Sequence, residues 1–417
     1  MSFSQALSGL NASATKLGAI GNNIANSQTV GFKSSSVQFA DVYANSRIGL
    51  GTQVAGVQQN FNAGNIEATS RNLDLAIAGD GFFRFQQPNG EVVYSRNGQL
   101  TMTAAGALIN SQGANIMGYP ADADGNIQVG GAPVALSVPA DDIPAQATNQ
   151  VDIGMNLNAG EAIIDRAATQ FDMGNPASYS YATNATVYDS LGNARNMTLY
   201  FTKVSEAANG SAWEVQAKLA GVDEPIQVTQ NEDLTTTPPT AASLLTFDTS
   251  GSLSGADNFD VVFDDLPGAA PLAFNLDLSG ATQFANTSTV SSLTQDGYTS
   301  GALVGITIEN DGTVMRNYSN EQSLAAGQIV LANFRNPEGL TPVGDNAWVA
   351  TAASGQELVG APGTGLLGGL QAGALESSNV DMSQELVDMI VAQRAYQANS
   401  QTIKTQDELL QTAINLR

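Results

Sequence analysis

Three short segments of this chain have spellings that could carry chemistry. Gly363-Thr364-Gly365-Leu366-Leu367-Gly368 matches GxGxxG. A dinucleotide fingerprint follows a strand and opens directly into a helix; here Pro362 precedes the run and the helical pattern starts only after Asp381, so no cofactor is expected. Asp122-Ala123-Asp124-Gly125-Asn126 hints at a calcium loop, but its glycine comes two places early and no bidentate Glu closes it, so it reads as a β-turn and no metal is expected. Asp264-Asp265 could be offered as an acid/base pair; neighbours on a strand point to opposite faces and cannot converge on one substrate. With no Cys and no His, thiol nucleophiles, Ser-His-Asp triads, His bases, common zinc sites and disulfides are all excluded. No catalytic residue is assigned, and the chain is read as a non-enzyme.

What must be positioned is therefore surface, not a reaction centre. Only 13% of the 417 residues are charged, against about 25% in an average soluble domain, while 42% are apolar. The polar surface is thus built largely from Asn, Gln, Ser and Thr. A net charge of -24 opposes nucleic acid or an anionic membrane as partner. The amino terminus carries no cation before Lys16, which does not suit a secretory signal, so export would need another route. Leu358 to Leu375 is uncharged, but Pro362 and its many glycines make it a flexible linker rather than a membrane span, and no membrane insertion is expected.

The two ends read as helices and the region between as strands. From Asp381 to Arg417 there is no Gly or Pro, and Asp381 followed by Gln384 resembles a capping start, so one helix of about 55 Å can run to the last residue. Leu386, Met389, Gln393, Tyr396, Ser400, Ile403, Asp407, Leu410 and Ile414 alternate in steps of three and four, a heptad seam with polar interruptions. Phe3, Leu7, Leu10, Ala14, Leu17, Gly21 and Ile24 do the same at the amino end. Two readings stand open: the helices close on each other within one chain, or their seams pack between copies. Turn signals at Asp80-Gly81, Asn97-Gly98, Ala105-Gly106, Gln112-Gly113 and Asp311-Gly312 punctuate a β region. Within it Met197-Leu199-Phe201, Trp213-Val215-Ala217-Leu219 and Leu272-Phe274-Leu276-Leu278 alternate with period two.

The expected architecture is mostly β with α-helical termini, a nested, rod-like, multi-domain chain of terminal coiled-coil helices plus two β domains. Residues 1–25 with 380–417 would form the helical domain and 26–70 with 360–379 the connecting segments; 71–145 with 285–359 would form one β domain and 146–284 an inserted one.

The run Gly21-Asn22-Asn23-Ile24-Ala25-Asn26-Ser27-Gln28-Thr29-Val30-Gly31-Phe32-Lys33 reads physically as a helix exit. It also resembles the signature of the axial proteins of the bacterial flagellum, the rod and hook family, whose NNxANxxTxG(F/Y)K pattern is met at Asn22, Asn23, Ala25, Asn26, Thr29, Gly31, Phe32 and Lys33. Leu73 to Phe83, Tyr94 to Gly98, Met117-Gly118-Tyr119, Gly373 to Asp381, Ala392 to Tyr396 and Asn399 extend the resemblance. Thr186 to Gly192, Gln295 to Tyr298 and Gly327 to Phe334 are similar to the hook-forming branch.

The resemblance implies a self-assembling tubular polymer that joins rod to filament and passes motor torque around a bend as a universal joint. In such a tube Phe3, Leu7, Leu10, Leu17, Ile24, Leu386, Met389, Tyr396, Ile403, Leu410 and Ile414 would pack between subunits. It implies as partners other copies of the chain, the distal rod protein, the hook cap, hook-filament junction proteins and the flagellar type III export apparatus. The implied location is the extracellular flagellum, with export lacking a cleaved leader. Rival readings are a distal rod or hook-junction protein and, from another class, a β-rich adhesin or carbohydrate-active enzyme.

Overall fold

The computed structural model describes residues 3–42, 50–208, 210–222, 225–230, 244–264 and 266–415. Helices stand at the two ends, α1 over Phe3–Ala25 and α2 over Met382–Asn415, with strands filling most of what lies between. The chain divides into two compact units, one of residues 1–140, 304–317 and 323–417, the other of 141–303 with 318–322.

In the first unit α1 and α2 pair antiparallel. Asn23 near the end of α1 donates to Glu385 at the start of α2, and a Cβ on Gly9 would come 2.8 Å from Asn399 Nδ2. Asp381 caps α2, accepting from Ser383 N at 2.9 Å and Gln384 N at 3.2 Å. A hairpin, Ser35–Asp41 with Thr52–Gln59, lies against α1. Beyond it the chain forms strands whose alternate residues fill a core of Leu75, Ile77, Phe83, Phe85, Ile116 and Leu331. A second, aromatic cluster joins Phe82, Tyr94, Phe334 and Trp348. Phe61 packs edge-on against both Phe82 and Trp348, which ties the connecting segment to this cluster.

The second unit is built on two sheets that share one core. Gln150–Asn158 pairs in parallel with Leu272–Asp277 and Ala281–Phe284, and antiparallel with Thr289–Gln295. The other sheet runs Tyr181–Tyr188, Ala194–Ala207, Gly210–Leu219. Its Leu199, Phe201, Trp213 and Val215 meet Val151, Ile153, Phe259 and Phe274 of the first. The period-two patterns at 197–201, 213–219 and 272–278 thus mark faces of this core. Two of the segments that carry the resemblance sit at its turns: Asp189 Oδ1 accepts from the main chain of Leu191 and Asn193, and Asp296 Oδ1 from Asn149 and Gln150.

One sequence expectation is corrected. The glycine-rich stretch 358–375 is not a flexible linker: Leu358–Gly360 pairs with Leu331–Asn333, Gly369–Ala372 with Asp74–Ala78, and Ala374–Glu376 with Ile66–Ala68. Its glycines serve close packing and turn geometry, since a Cβ on Gly368 would meet Ala78 O at 2.6 Å and Gly363 and Gly365 turn the chain at positive φ. The GxGxxG spelling is this turn. At the Asn97-Gly98 turn signal, Gly98 begins a strand that leaves Val92–Ser95 to pair with Asp74–Ala78, and it must be glycine because a Cβ would fall 2.0 Å from Leu75 O. Asp122 to Asn126 closes an Asx turn through Asp122 Oδ1. Asp264 follows the strand Asn258–Phe263, and residue 265 lies outside the described residues.

Candidate functional site: the helix-root junction and the outer helix faces

The signature run leaves α1 through side chains that satisfy its backbone. Asn26 Nδ2 donates to Asn22 O at 2.9 Å, and Thr29 Oγ1 to Asn26 Oδ1 at 3.1 Å. Asn23, buried, forms a paired contact with Ser35, accepting from its N at 3.0 Å and donating to its O at 2.9 Å. Ala25 is exposed at the last turn of α1, and Phe32 is half-buried. Gly31 takes φ 69°, where a side chain would come 2.7 Å from Arg96 C, and its N–H reaches Glu376 O at 2.8 Å.

Lys33 ends the run inside the protein. Its Nζ donates to Glu376 Oε1 at 2.6 Å and to Asn62 O at 2.7 Å. Arg96 reaches the other oxygen of Glu376 at 3.0 Å, donates to Gly79 O at 2.8 Å and stacks on the Phe82 ring at 5.6 Å. Gly64 N adds a third bond to the same carboxylate. Lys33, Arg96 and Glu376 are all nearly inaccessible to solvent, so one anion is shared by two buried cations. Burial draws the Lys33 ammonium below its usual value, against the opposing pull of Glu376. Asn379 fastens the adjoining stretch, accepting from Ser34 N and donating to Asn60 O and Asn62 O. Glu376, Arg96 and Asn379 lie in segments that carry the family resemblance, yet they were not singled out as site residues.

A second ionic cluster sits behind the aromatic one. Arg84 grips Glu357 with two bonds of 2.9 and 3.0 Å, and Tyr94 OH donates to the same carboxylate at 2.6 Å. Burial and the Glu357 charge push the Tyr94 phenol up; for Glu357, burial would raise the carboxyl, but the bonds from Arg84 and Tyr94 outweigh it and hold it below 4.5.

The helices divide their residues unevenly. Apart from Ile20, the buried positions are small or polar: Ala6, Ala12 and Asn23 on α1 and Ala392 at 3% exposure on α2, with Glu385, Asn399 and Thr402 half-buried. Larger apolar residues point out, with Leu386 at 47%, Val387 at 55%, Ile390 at 52% and Val391 at 55% exposure on α2, and Phe3 and Leu7 on α1. Tyr396 is also exposed, while Leu10, Leu17, Ile24, Met389 and Ile403 are half-buried. The side chains of Leu410 and Ile414 lie outside the described residues. A cavity of ≈350 Å³ opens beside the helix pair, lined in part by Gly9, Ala12, Lys16, Phe39, Val391 and Ala395.

Comparison with known proteins places these features in one family. Family models match in order along the chain: Flagella basal body rod protein over residues 4–33, Flagellar hook protein FlgE/F/G D1 domain over 76–156, Flagellar basal body protein FlaE D2 domain over 156–298, and Flagellar basal body rod FlgEFG protein C-terminal over 371–416. The flagellar hook protein FlgE of Salmonella typhimurium is 45% identical over 419 residues, covering all of both chains, and that of Escherichia coli K12 is 45% identical over 420 residues with the same coverage. The Borreliella burgdorferi protein of the same name is 30% identical over 456 residues, covering 99% of this chain and 98% of its own. The fold is similar to the crystal structure of Helicobacter pylori flagellar hook protein FlgE2, with a TM-score of 0.55 at 12% identity, over 75% of this chain and 100% of that one. Matched from the signature run at one end to the buried glutamate's segment at the other, the chain belongs to the flagellar hook protein family.

Proposed function

We propose that the chain is a structural subunit of the bacterial flagellar hook, assembling with copies of itself into a bent, flexible tube that carries motor torque from rod to filament. The observation that carries the reading is the full-length identity to hook proteins, with both terminal motifs in place. The outward apolar rows of α1 and α2 support it, because such residues on a helix surface call for a partner and the chain's own pairing leaves them uncovered. Phe3, Leu7, Leu10, Leu17, Ile24, Leu386, Met389, Tyr396, Ile403, Leu410 and Ile414 are proposed to pack between subunits, together with Val387, Ile390 and Val391 from the exposed face. The role is mechanical and no catalysis is invoked.

The proposed partners beyond other copies are the distal rod protein, the hook cap, the hook-filament junction proteins and the flagellar type III export apparatus. The proposed location is the extracellular flagellum, reached without a cleaved leader. Antibody raised against residues 150–220 tests the assignment by immunogold electron microscopy of motile cells. Gold confined to the short curved segment between envelope and filament is expected. Gold along the filament, beneath the outer membrane only, or scattered over the cell surface would contradict it.

A further inference from the structure

Glu376 is shared by the segments that root both terminal helices. On the amino side it holds Lys33 by a side-chain ion pair and Gly31 by its carbonyl. On the carboxyl side it is the last residue of the strand Ala374–Glu376, six residues before α2, and that strand pairs with Ile66–Ala68. Toward the β body it holds Arg96, whose Nε has no hydrogen-bond partner and whose guanidinium is otherwise met by the carbonyls of Ile77 and Gly79 and the face of Phe82. Asn379 and Asn23 bridge the same two segments a few residues further out.

We propose that Glu376 is a positioning residue that seats the roots of α1 and α2 on the β body as one unit, so that the two helices dock or release together. The physical reason is an imbalance in the junction. Two cations and one anion are buried, and among the described residues neither cation forms an ion pair with another carboxylate. Withdrawing residues 374–379 strips the counter-charge from Lys33 and Arg96 at once, and a buried cation without its partner is driven back to water. The same withdrawal breaks the bonds from Gly31 N to Glu376 O and from Ser34 N to Asn379 Oδ1, so Lys33 reaches water as residues 31–35 lift from the body and carry the end of α1 away. Withdrawing residues 31–35 instead leaves Glu376 still paired with Arg96, so the dependence is asymmetric: the carboxyl-terminal segment controls the amino-terminal one more strongly than the reverse.

Hydrogen-deuterium exchange on the free full-length chain tests this without reference to the hook assignment. In Glu376→Gln, peptides covering 22–35 and 374–385 are expected to lose protection in step, each exchanging at least about tenfold faster, while strands 181–219 of the other unit stay unchanged. Lys33→Met is expected to move both segments in the same direction by a smaller factor. Loss confined to 374–385, no loss in either segment, or a wild-type chain in which both are already unprotected would overturn the proposal. Should Glu376→Gln also unfold the 71–140 body, Lys33→Met decides by the same criterion of joint movement.

Discussion

At the scale of single residues, the charged groups of the first unit work as internal fasteners, and their energetics can be read through pH. Glu357 is held below 4.5 by Arg84 and Tyr94. A carboxylate whose folded value is depressed adds stability that is fully present above its unfolded value, and that stability is lost as pH falls through the folded value. Urea unfolding of the first unit should therefore weaken below about pH 4.5, and Glu357→Gln should flatten that acid limb while costing about 1.5–3 kcal/mol at neutral pH. An acid limb of unchanged slope in the variant would rule out this role. Gly31 makes a second case. Its left-handed backbone and its close approach to Arg96 leave no room for a methyl group, so Gly31→Ala should destabilise the unit by at least about 1–2 kcal/mol. Differential scanning calorimetry would register this as a lower Tm.

At the scale of elements, the two helices are the informative case. An antiparallel pair whose buried positions are, Ile20 aside, small or polar keeps Leu386, Val387, Ile390 and Val391 outside. Leu386→Asn with Ile390→Asn should change the stability of the free chain by about 0.5 kcal/mol or less per site while abolishing polymerisation, as followed by sedimentation. Retained assembly would show that this face has no partner.

Much of this was legible in sequence. The capped, glycine-free run after Asp381 gives α2, and the period-two runs give the faces of the second unit's core. The 358–375 stretch was misread because glycine frequency does not separate flexibility from close packing: only the approach of Ala78 O to Gly368 reveals which applies. The Lys33–Glu376–Arg96 cluster escaped for a related reason, since its members lie 343 and 280 residues from Glu376 along the chain and no local pattern joins them. Heptad spacing likewise marks apolar positions without saying whether the partner helix belongs to the same chain or to another. Ala6, Ala12 and Ala392, residues outside the seams that the spacing picked out, are the buried ones, and Asn23 with Glu385 joins the two helices.

At the scale of the whole molecule, composition bears on assembly. A net charge of -24 makes copies repel, and added salt shortens the range of that repulsion to about 10 Å at 0.1 M. Polymerisation should therefore speed up with ionic strength, measured by light scattering at fixed protein concentration; a rate independent of salt would show that charge does not limit assembly. A surface rich in Asn, Gln, Ser and Thr presents interchangeable hydrogen bonds, a chemistry suited to subunit contacts that must slide as a tube bends. The ordered 358–375 stretch shifts the source of compliance away from a slack linker. Proline at Gly365 would meet φ 59°, and at Gly368 it would remove the bond from Gly368 N to Asp80 O, so both replacements should weaken the fold locally rather than stiffen a hinge.

The central claim is that the apolar faces left open by the α1–α2 pair are covered by neighbouring copies. Cryo-electron microscopy of the polymer assembled from the purified chain tests it most directly. The account predicts Leu386, Val387, Ile390 and Val391 buried against a second subunit, with the α1–α2 pairing of each chain retained. A polymer in which those four side chains still face solvent would contradict it.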